Sequence, residues 1–316
     1  MKHLRGWLFG WSCAVLLLTT PAVADTLKIV VPFAAGGPVD QWARIIASEL
    51  GQKLGADVIV DDRGGAGGAI AAEYVAHSTP DGTTVLFGSF GSCVLGPILK
   101  PPSAYDPVTS FTPVMRVGAV PSLLVVNNEL GVATMQELIA KAKQQKLTYG
   151  SAGLGTTMNI AVEMLNAAAG VKITHVPYRG AAPAITDLLG DHVDMLNADL
   201  PILMPLVKAG KIKAIAIFAP ERSPLMPNLA TTKELGLPTV MMENWYGVLA
   251  PAGTPAQTRD KLEKALLAVV AMPSIQQRIA ENGLHDPLGH AAFAGLLKQE
   301  FAEWPATIQK LGITGE

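Results

Sequence analysis

Short apolar runs alternate with helix-period segments along most of this chain, and that alternation limits the fold more than any single residue does. Residues 27–31 (LKIVV) read as a strand. The segment 40–54 that follows carries Trp42, Ile45, Ile46 and Leu50 at a helical period. Further strands are expected at 58–60 and 84–87, with a helix over 69–76 between them. The pattern resumes after a break, with helices over 135–144, 157–169 and 182–189 among strands at 147–150, 173–176, 193–196 and 214–217. The C-terminal part is mostly helical, near 255–271, 274–281 and 291–311. Strands joined through helices form mainly parallel sheets covered on both faces, so the expected class is α/β.

Two such series occur in one chain, and two apolar extended segments sit between them. Residues 123–127 (LLVVN) separate the series, and 246–249 (YGVL) precede the last helical stretch. If both are crossover strands, residues 25–125 and 248–316 form one lobe and 126–247 the other, with a hinge and a cleft between them. Ligands of such sheets bind at the carboxyl ends of the parallel strands.

The first residues belong to a different category. Lys2 and Arg5 precede an apolar run from Trp7 to Leu18, and Ala22-Val23-Ala24 offers the small residues that a signal peptidase reads. A secretory signal peptide over 1–24, cut after Ala24, is therefore expected, which makes the mature protein periplasmic. No later segment holds the ~18 uninterrupted apolar residues that a membrane span needs. Cys13 leaves with the signal, so the mature chain keeps Cys93 alone and no internal disulfide; a buried structural thiol is the favoured reading of it. With 24 Lys+Arg against 26 Asp+Glu and no basic run, the chain lacks the electrostatic footprint of a nucleic-acid binder.

Small residues gather where strands turn into helices. The loops are Pro32-Phe33-Ala34-Ala35-Gly36-Gly37-Pro38-Val39-Asp40, Arg63 to Gly68, Gly88-Ser89-Phe90-Gly91-Ser92 and Gly150-Ser151-Ala152-Gly153-Leu154-Gly155-Thr156-Thr157. Glycine lets backbone N–H groups turn toward a bound group, and a following helix adds its partial positive end. One such loop makes only a tight turn; four, shared between two lobes, describe an anion site, with a carboxylate as the expected ligand. Asp40 is placed to cap the first helix. No loop is a nucleotide motif, since GGAGGA (64–69) lacks the third glycine of GxGxxG and no GxxxxGK[ST] occurs.

Catalytic and metal-binding constellations are thin. Ser89, Ser92 and Ser151 have no GxSxG context, and His77, His175, His192, His285 and His290 form no metal-ligand spacing. His77 and His192 read as surface turn residues and His175 as a satisfied structural histidine. Arg179, in VPYRG, is either a bidentate carboxylate ligand or a solvated loop cation or interlobe salt-bridge partner. Asp199 is expected to cap the helix after it, with contact to a ligand amine or a hydrogen bond across the closed cleft as the sharper alternative. Trp245 and Tyr246 sit at the proposed hinge, for packing or as an aromatic wall of the cleft.

These segments, read in order, resemble a family. VPFAAGGPVDQWAR (31–44), DDRGGAGG (61–68), PDGTTVLFG (80–88), YDPVTSFTPV (105–114), YGSAGLGTT (149–157), HVPYRG (175–180), KAGKIKAIAI (208–217), ERSPLMPNLATTKELGLP (221–238) and WYGVLAPAGTP (245–255) are similar to the tripartite tricarboxylate transporter solute receptors, the TctC-like or Bug-type proteins. The resemblance implies a type II periplasmic-binding-protein fold, a Venus flytrap that holds a small carboxylate between its lobes. It implies that the loop at Phe33 to Gly37 holds one ligand carboxylate through amides and bridging waters. The loop at Ser151 to Thr156 would reach it from the other lobe. Ligand contacts are accordingly expected from Phe33, Ala34, Ala35, Gly36 and Gly37, from Ser89, Phe90 and Ser92, and from Ser151, Ala152, Gly155, Thr156 and Thr157, with Tyr178, Arg179 and Asp199 shaping the remainder. The chain departs from the family at Gly64 (for Pro), at Asn159 (for a common His), at Ala198 (for an acid, which falls instead at Asp199) and at Cys93.

The expected function is capture of a small organic carboxylate (a di- or tricarboxylate, an aromatic acid or an amino acid) and its delivery to a tripartite membrane permease. No covalent chemistry, cofactor or metal is expected, and the protein is expected to be a monomer. A ligand sensor for a signalling partner and a periplasmic hydrolase on the same scaffold are the rival readings.

Overall fold

A computed structural model describes residues 26–99 and 103–313. The expected signal peptide and Cys13 lie outside the described residues. The first parallel series contains β1 (Thr26–Val31), α1 (Pro38–Leu54), β2 (Asp57–Asp62), α2 (Ala69–Ala76) and β3 (Thr84–Ser89). A π-type turn at Gly91–Leu95 leads into the short α3 (Gly96–Leu99), and β4 (Phe111–Val126) follows. The second series contains α4 (Met135–Gln144), β5 (Thr148–Ser151), α5 (Thr157–Ala169), β6 (Thr174–Pro177), α6 (Ala181–Leu189), β7 (Met195–Asp199), α7 (Leu200–Lys208) and β8 (Lys213–Phe218). Then come β9 (Glu243–Pro251), α8 (Ala256–Val270), α9 (Pro273–Glu281), the two-residue β10 (Leu288–Gly289) and α10 (His290–Leu311).

The strands run in the order β2-β1-β3-β9-β4-β7-β5-β6, and β8 and β10 also pair with β4. The triplets β2-β1-β3 and β6-β5-β7 are parallel, whereas β9 and β4 enter antiparallel. The 16 residues of β4 serve both sheets. Phe111 to Pro121 pair with β9, and Ser122 to Val126 pair with β7 and β8. On the returning chain, Met242 still receives a bond from Ser122 and donates to Phe218, while Glu243 already pairs with Pro121. Both strand crossings thus lie side by side, and the α/β, two-lobed class expected from the alternation is the one observed.

Each sheet alternates its side chains between two cores, as the period-2 pleat requires. In the first lobe, Ile29, Val31, Val85 and Phe87 face α1 and α8 (Trp42, Ile46, Leu262, Leu266). On the opposite face, Val30, Leu86 and Leu249 meet α2 and α10 (Ala72, Val75, Phe293, Leu297). The second lobe repeats the arrangement. Leu123, Val125 and Leu196 lie under α6 and α7, and Leu124, Val126 and Met195 lie under α4 and α5. Cys93 is fully buried against Gly88, where an added Cβ would come 2.4 Å from its Sγ. Burial pushes this thiol up to about 12, which makes it an inert packing group.

Trp245 and Phe90 belong to this packing. Trp245 meets Phe293 edge-on at 5.1 Å, and Phe90 meets Trp304 at the same separation. The indole N–H donates to Glu300 at 2.9 Å. Burial, only partly offset by that bond and by Arg116, pushes Glu300 up to about 7 from an ordinary 4.5. The folded chain therefore binds this proton more tightly than the unfolded chain, so Glu300 subtracts from stability as pH rises from about 4.5 to 7, by roughly 3 kcal/mol in full. Urea midpoints taken across that window should fall less for Glu300→Gln than for the wild type; parallel curves would show that the proton is not held there.

Candidate functional site

The carboxyl ends of β1, β3, β5 and β7 meet between the lobes, and a cavity lies among them. The cavity is small, about 30 Å³, enough for roughly one or two water molecules.

Its walls are built from helix starts. Gly37, Pro38 and Val39 open α1, Thr156, Thr157 and Met158 open α5, Ala181 opens α6, and Asp199 precedes α7. A first-turn amide has no carbonyl four residues back to bond to, so these starts present unsatisfied N–H groups and a partial positive charge, fewer where proline stands in the turn (Pro38, Pro183, Pro201). Four such ends converge on one cavity, two from long helices of 17 and 13 residues. Phe33, Ser89, Ala152, Ala198 and Asn244 complete the lining. Among the described residues, no lysine, arginine or histidine contributes to it.

Several amides of the glycine loops are committed within the protein. Gly36 N–H donates to Asp40 Oδ2 at 2.8 Å, Gly153 N–H to Ser151 Oγ at 3.0 Å, and Gly155 N–H to Asn159 Oδ1 at 3.1 Å. Ala34 N–H donates across the lobes to the Arg179 carbonyl at 3.1 Å. Asp40 is therefore not the cap of α1. The cap position is Gly37, and Asp40 reaches back from the first turn to fold the loop while pairing with Arg44 at 2.6 Å.

Several of the glycines exist because the other lobe touches them. A Cβ on Gly67 would lie 2.3 Å from the Leu154 carbonyl, on Gly64 2.8 Å from the Arg179 carbonyl, on Gly91 3.0 Å from Thr156 Cα, and on Gly180 3.0 Å from Ala34 N. Backbone thus meets backbone along a seam that runs beside the cavity. The Arg63–Gly68 loop belongs to this seam and not to the cavity.

The expected contact residues divide accordingly. Phe33, Gly37, Ser89, Ala152, Thr156, Thr157 and Asp199 line the cavity. Ala34, Ala35, Gly36 and Gly155 belong to the loops beside it, and Phe90 points into the first-lobe core. Ser92 is fully buried and ties its turn together through Ser89. Tyr178 donates to Asp187 at 2.5 Å, and burial, reinforced by that bond to a carboxylate, pushes its hydroxyl up to about 12. Arg179 contributes its carbonyl to the seam while its side chain is exposed. Pro38 and Val39, from the first loop, and Ala198, beside Asp199, also line the cavity, and with them stand Met158, Ala181 and Asn244, which the sequence did not single out. All but Asn244 are small or apolar and carry no chemical label, yet most stand at helix starts that the alternation had already located.

Ser151 and His175 are 2.6 Å apart, the spacing of a nucleophile and its base. The rest of the arrangement does not follow. The Ser151 hydroxyl is fully buried, also bonds Gly153 N–H and C=O, and is not part of the cavity wall. His175 stacks on Tyr149, and Glu163 is engaged by Tyr149 and Asn166. Burial lowers the histidine's pKa, the nearby Glu163 opposing it. This is a structural histidine that holds the loop ahead of α5. Among the described residues, no three His, Cys, Asp or Glu side chains are grouped to hold a metal.

Asp199 also departs from expectation. It occupies the position before α7, but its side chain makes no cap bond. Pro201, the second residue of that helix, has no N–H to offer. The carboxylate turns instead to β9, where Asn244 Nδ2 donates to both oxygens at 3.0 and 3.2 Å and the Tyr246 hydroxyl donates to Oδ2. Burial pushes Asp199 up to about 6, against the opposing effect of those donors. Tyr246 thereby supports a cavity residue, whereas Trp245 packs in the core.

Residues 42–313 match the family described as the tripartite tricarboxylate transporter family receptor. Among solved structures, the periplasmic binding protein BugD is similar at 34% identity and a TM-score of 0.87, over 92% of this chain and 98% of that one. A Rhodopseudomonas palustris protein, Rpa4515, solved with adipate, has the same identity, TM-score and coverage. MatC of the same organism, solved with bound malate, is 32% identical with a TM-score of 0.85, over 90% of this chain and 98% of its own.

Proposed function

The chain belongs to the tripartite tricarboxylate transporter receptor family, whose members are solute-binding proteins and not enzymes, and we propose on that premise that it captures a small organic carboxylate in the periplasm and delivers it to a tripartite membrane permease. The observation that carries this reading is the cavity walled by four helix starts and no cationic side chain. An anion held by backbone dipoles in a water-poor cleft needs no lysine or arginine, and release follows when the lobes part and water returns. The relatives solved with adipate and with malate support a carboxylate as the ligand. Export to the periplasm involves cleavage after Ala24; among the described residues, no helix is long and apolar enough to cross a membrane.

We place the lobes at 25–125 with 248–316, and at 126–247. Those limits fall a few residues from the points where the two strands change sheet, and Pro121–Ser122 and Met242–Glu243 supply the hinge. Ligand then drives closure only through its greater affinity for the closed form, in which the glycine seam is made. The protein acts as a monomer.

Residues 25–316, unfolded and refolded to strip any bound ligand, should be screened by thermal shift against citrate, C4–C6 dicarboxylates, aromatic acids and amino acids. Saturation at 100 times Kd adds about 2.7 kcal/mol and raises the melting temperature by a few degrees. Solution scattering should show a smaller radius of gyration with the same ligand. A folded chain that responds to no carboxylate would overturn the proposal.

A further inference from the structure

We infer that the carboxylate this cavity selects is an amino acid, whose ammonium group is received by Asp199 and Asn244. The inference rests on the carboxylate reading above and narrows it. Asp199, at the end of β7, and Asn244, at the start of β9, both line the cavity, and each is more than nine-tenths buried. The orientation of the Asn244 amide is set by its neighbour. Its Nδ2 faces the two carboxylate oxygens, because the opposite orientation would place oxygen against oxygen. Asn244 Oδ1 is then a buried acceptor without a partner. Asp199 Oδ1 holds only the longer share of one forked bond, at 3.2 Å.

This end of the cavity is therefore rich in acceptors and short of donors, and a buried acceptor left unpaired is costly. An ammonium group brings three N–H donors and a charge that neutralises Asp199. A second ligand carboxylate would bring neither and would face Asp199 with no cation among the lining residues to separate them. The helix starts at Val39, Thr157 and Ala181 remain for the ligand's own carboxylate. The groups facing Asp199 from β9 are Asn244 and Tyr246, and its partner on β4 is Ser122. None of these is charged, and no charged side chain contributes to the shift of its pKa.

Calorimetry on residues 25–316 separates the possibilities, with neutral amino acids set against their deaminated acids (alanine and propionate, for example) and against succinate, malate and adipate. At least one amino acid should bind ten-fold or more tighter than its deaminated form. Asp199→Asn should remove most of that preference. With wild-type protein, amino-acid affinity should fall as pH drops from 7.5 to 5 and Asp199 takes up a proton, a readout that does not depend on the variant folding. Binding of a dicarboxylate in preference to every amino acid, growing tighter at pH 5, would overturn this inference and leave the carboxylate receptor standing. Binding of neither class by folded protein would overturn both.

Discussion

Gly91→Val is expected to weaken ligand binding roughly 10- to 100-fold while leaving the melting temperature of the ligand-free chain nearly unchanged. Gly91 lies in the π-type turn after β3 with ordinary helical backbone angles, so the glycine is not there for a left-handed conformation. A Cβ at this position meets Thr156 Cα at 3.0 Å and Thr157 N at 3.1 Å, both in the opposite lobe. The added methyls have no room once the lobes are shut, and overpacking of this kind costs about 1–3 kcal/mol. That cost falls on the closed form alone, because the lobes can relieve it by parting. It is therefore subtracted from the ligand's preference for closure, the quantity that sets affinity. Gly295→Val is the control, since a Cβ on Gly295 in α10 meets nothing within 4 Å. Calorimetry on both variants, with scattering to follow closure, tests the seam. Equal affinity in Gly91→Val and wild type would show that the seam is not made in the bound state.

Trp245→Ala should have the largest effect on stability, a loss of about 3–5 kcal/mol. The indole is 2% exposed, is packed edge-on by Phe293 and lies 6.3 Å from Phe90, so its removal opens a hole that these two aromatic neighbours cannot collapse to fill. It also removes the N–H that bonds Glu300, leaving a buried carboxyl without that donor. At this chain length a loss of that size should lower the melting temperature on the order of 10 °C. Ligand affinity, measured below the new midpoint, should change little, because the indole faces the first-lobe core and is not part of the cavity. Affinity lost in step with stability would show that the β9 backbone, which carries Asn244 one residue earlier, is not held independently of its packing.

The two lobes could be read from the alternation of apolar runs, but the strand that joins them was only partly legible. Residues 123–127 were recognised, whereas β4 begins at Phe111. Pro113, Gly118 and Pro121 break the apolar pattern there, and proline and glycine ordinarily count against a strand interior. The structure tolerates two of them because the pairing with β9 shifts register between Pro113 and Met115 and between Arg116 and Gly118, and Pro121 stands where the strand changes sheet. The segment 91–99 was missed for the opposite reason. It is buried on nearly every side, so no polar face marks a helical period.

At the cavity, residue chemistry pointed to loops that the structure brings together, without showing which of their amides are already bonded within the protein. Glycine, serine and threonine at strand ends suggested an amide cradle, yet Asp40, Ser151 and Asn159 take up those amides from within the same loops. Asn244 was overlooked although a signal existed, namely an amide side chain one step before Trp245 at the start of an apolar strand. Nothing local tied it to Asp199, 45 residues earlier.

The sequence by itself determined the α/β class, the order of the elements, the two series that make two lobes, and the strand ends where a ligand could be met. Each of these depends on hydrophobic period and turn chemistry, which act over a few neighbouring residues and are written in their identities. Only the tertiary structure decided which amides stay free, which glycines meet the opposite lobe, and which carboxylate is left with an unpaired acceptor beside it. Those depend on approaches such as Ala34 to Arg179 and Asp199 to Asn244, between segments that become neighbours only after both sheets have formed. A hydrogen bond claimed across such a gap leaves no periodicity behind it in the chain.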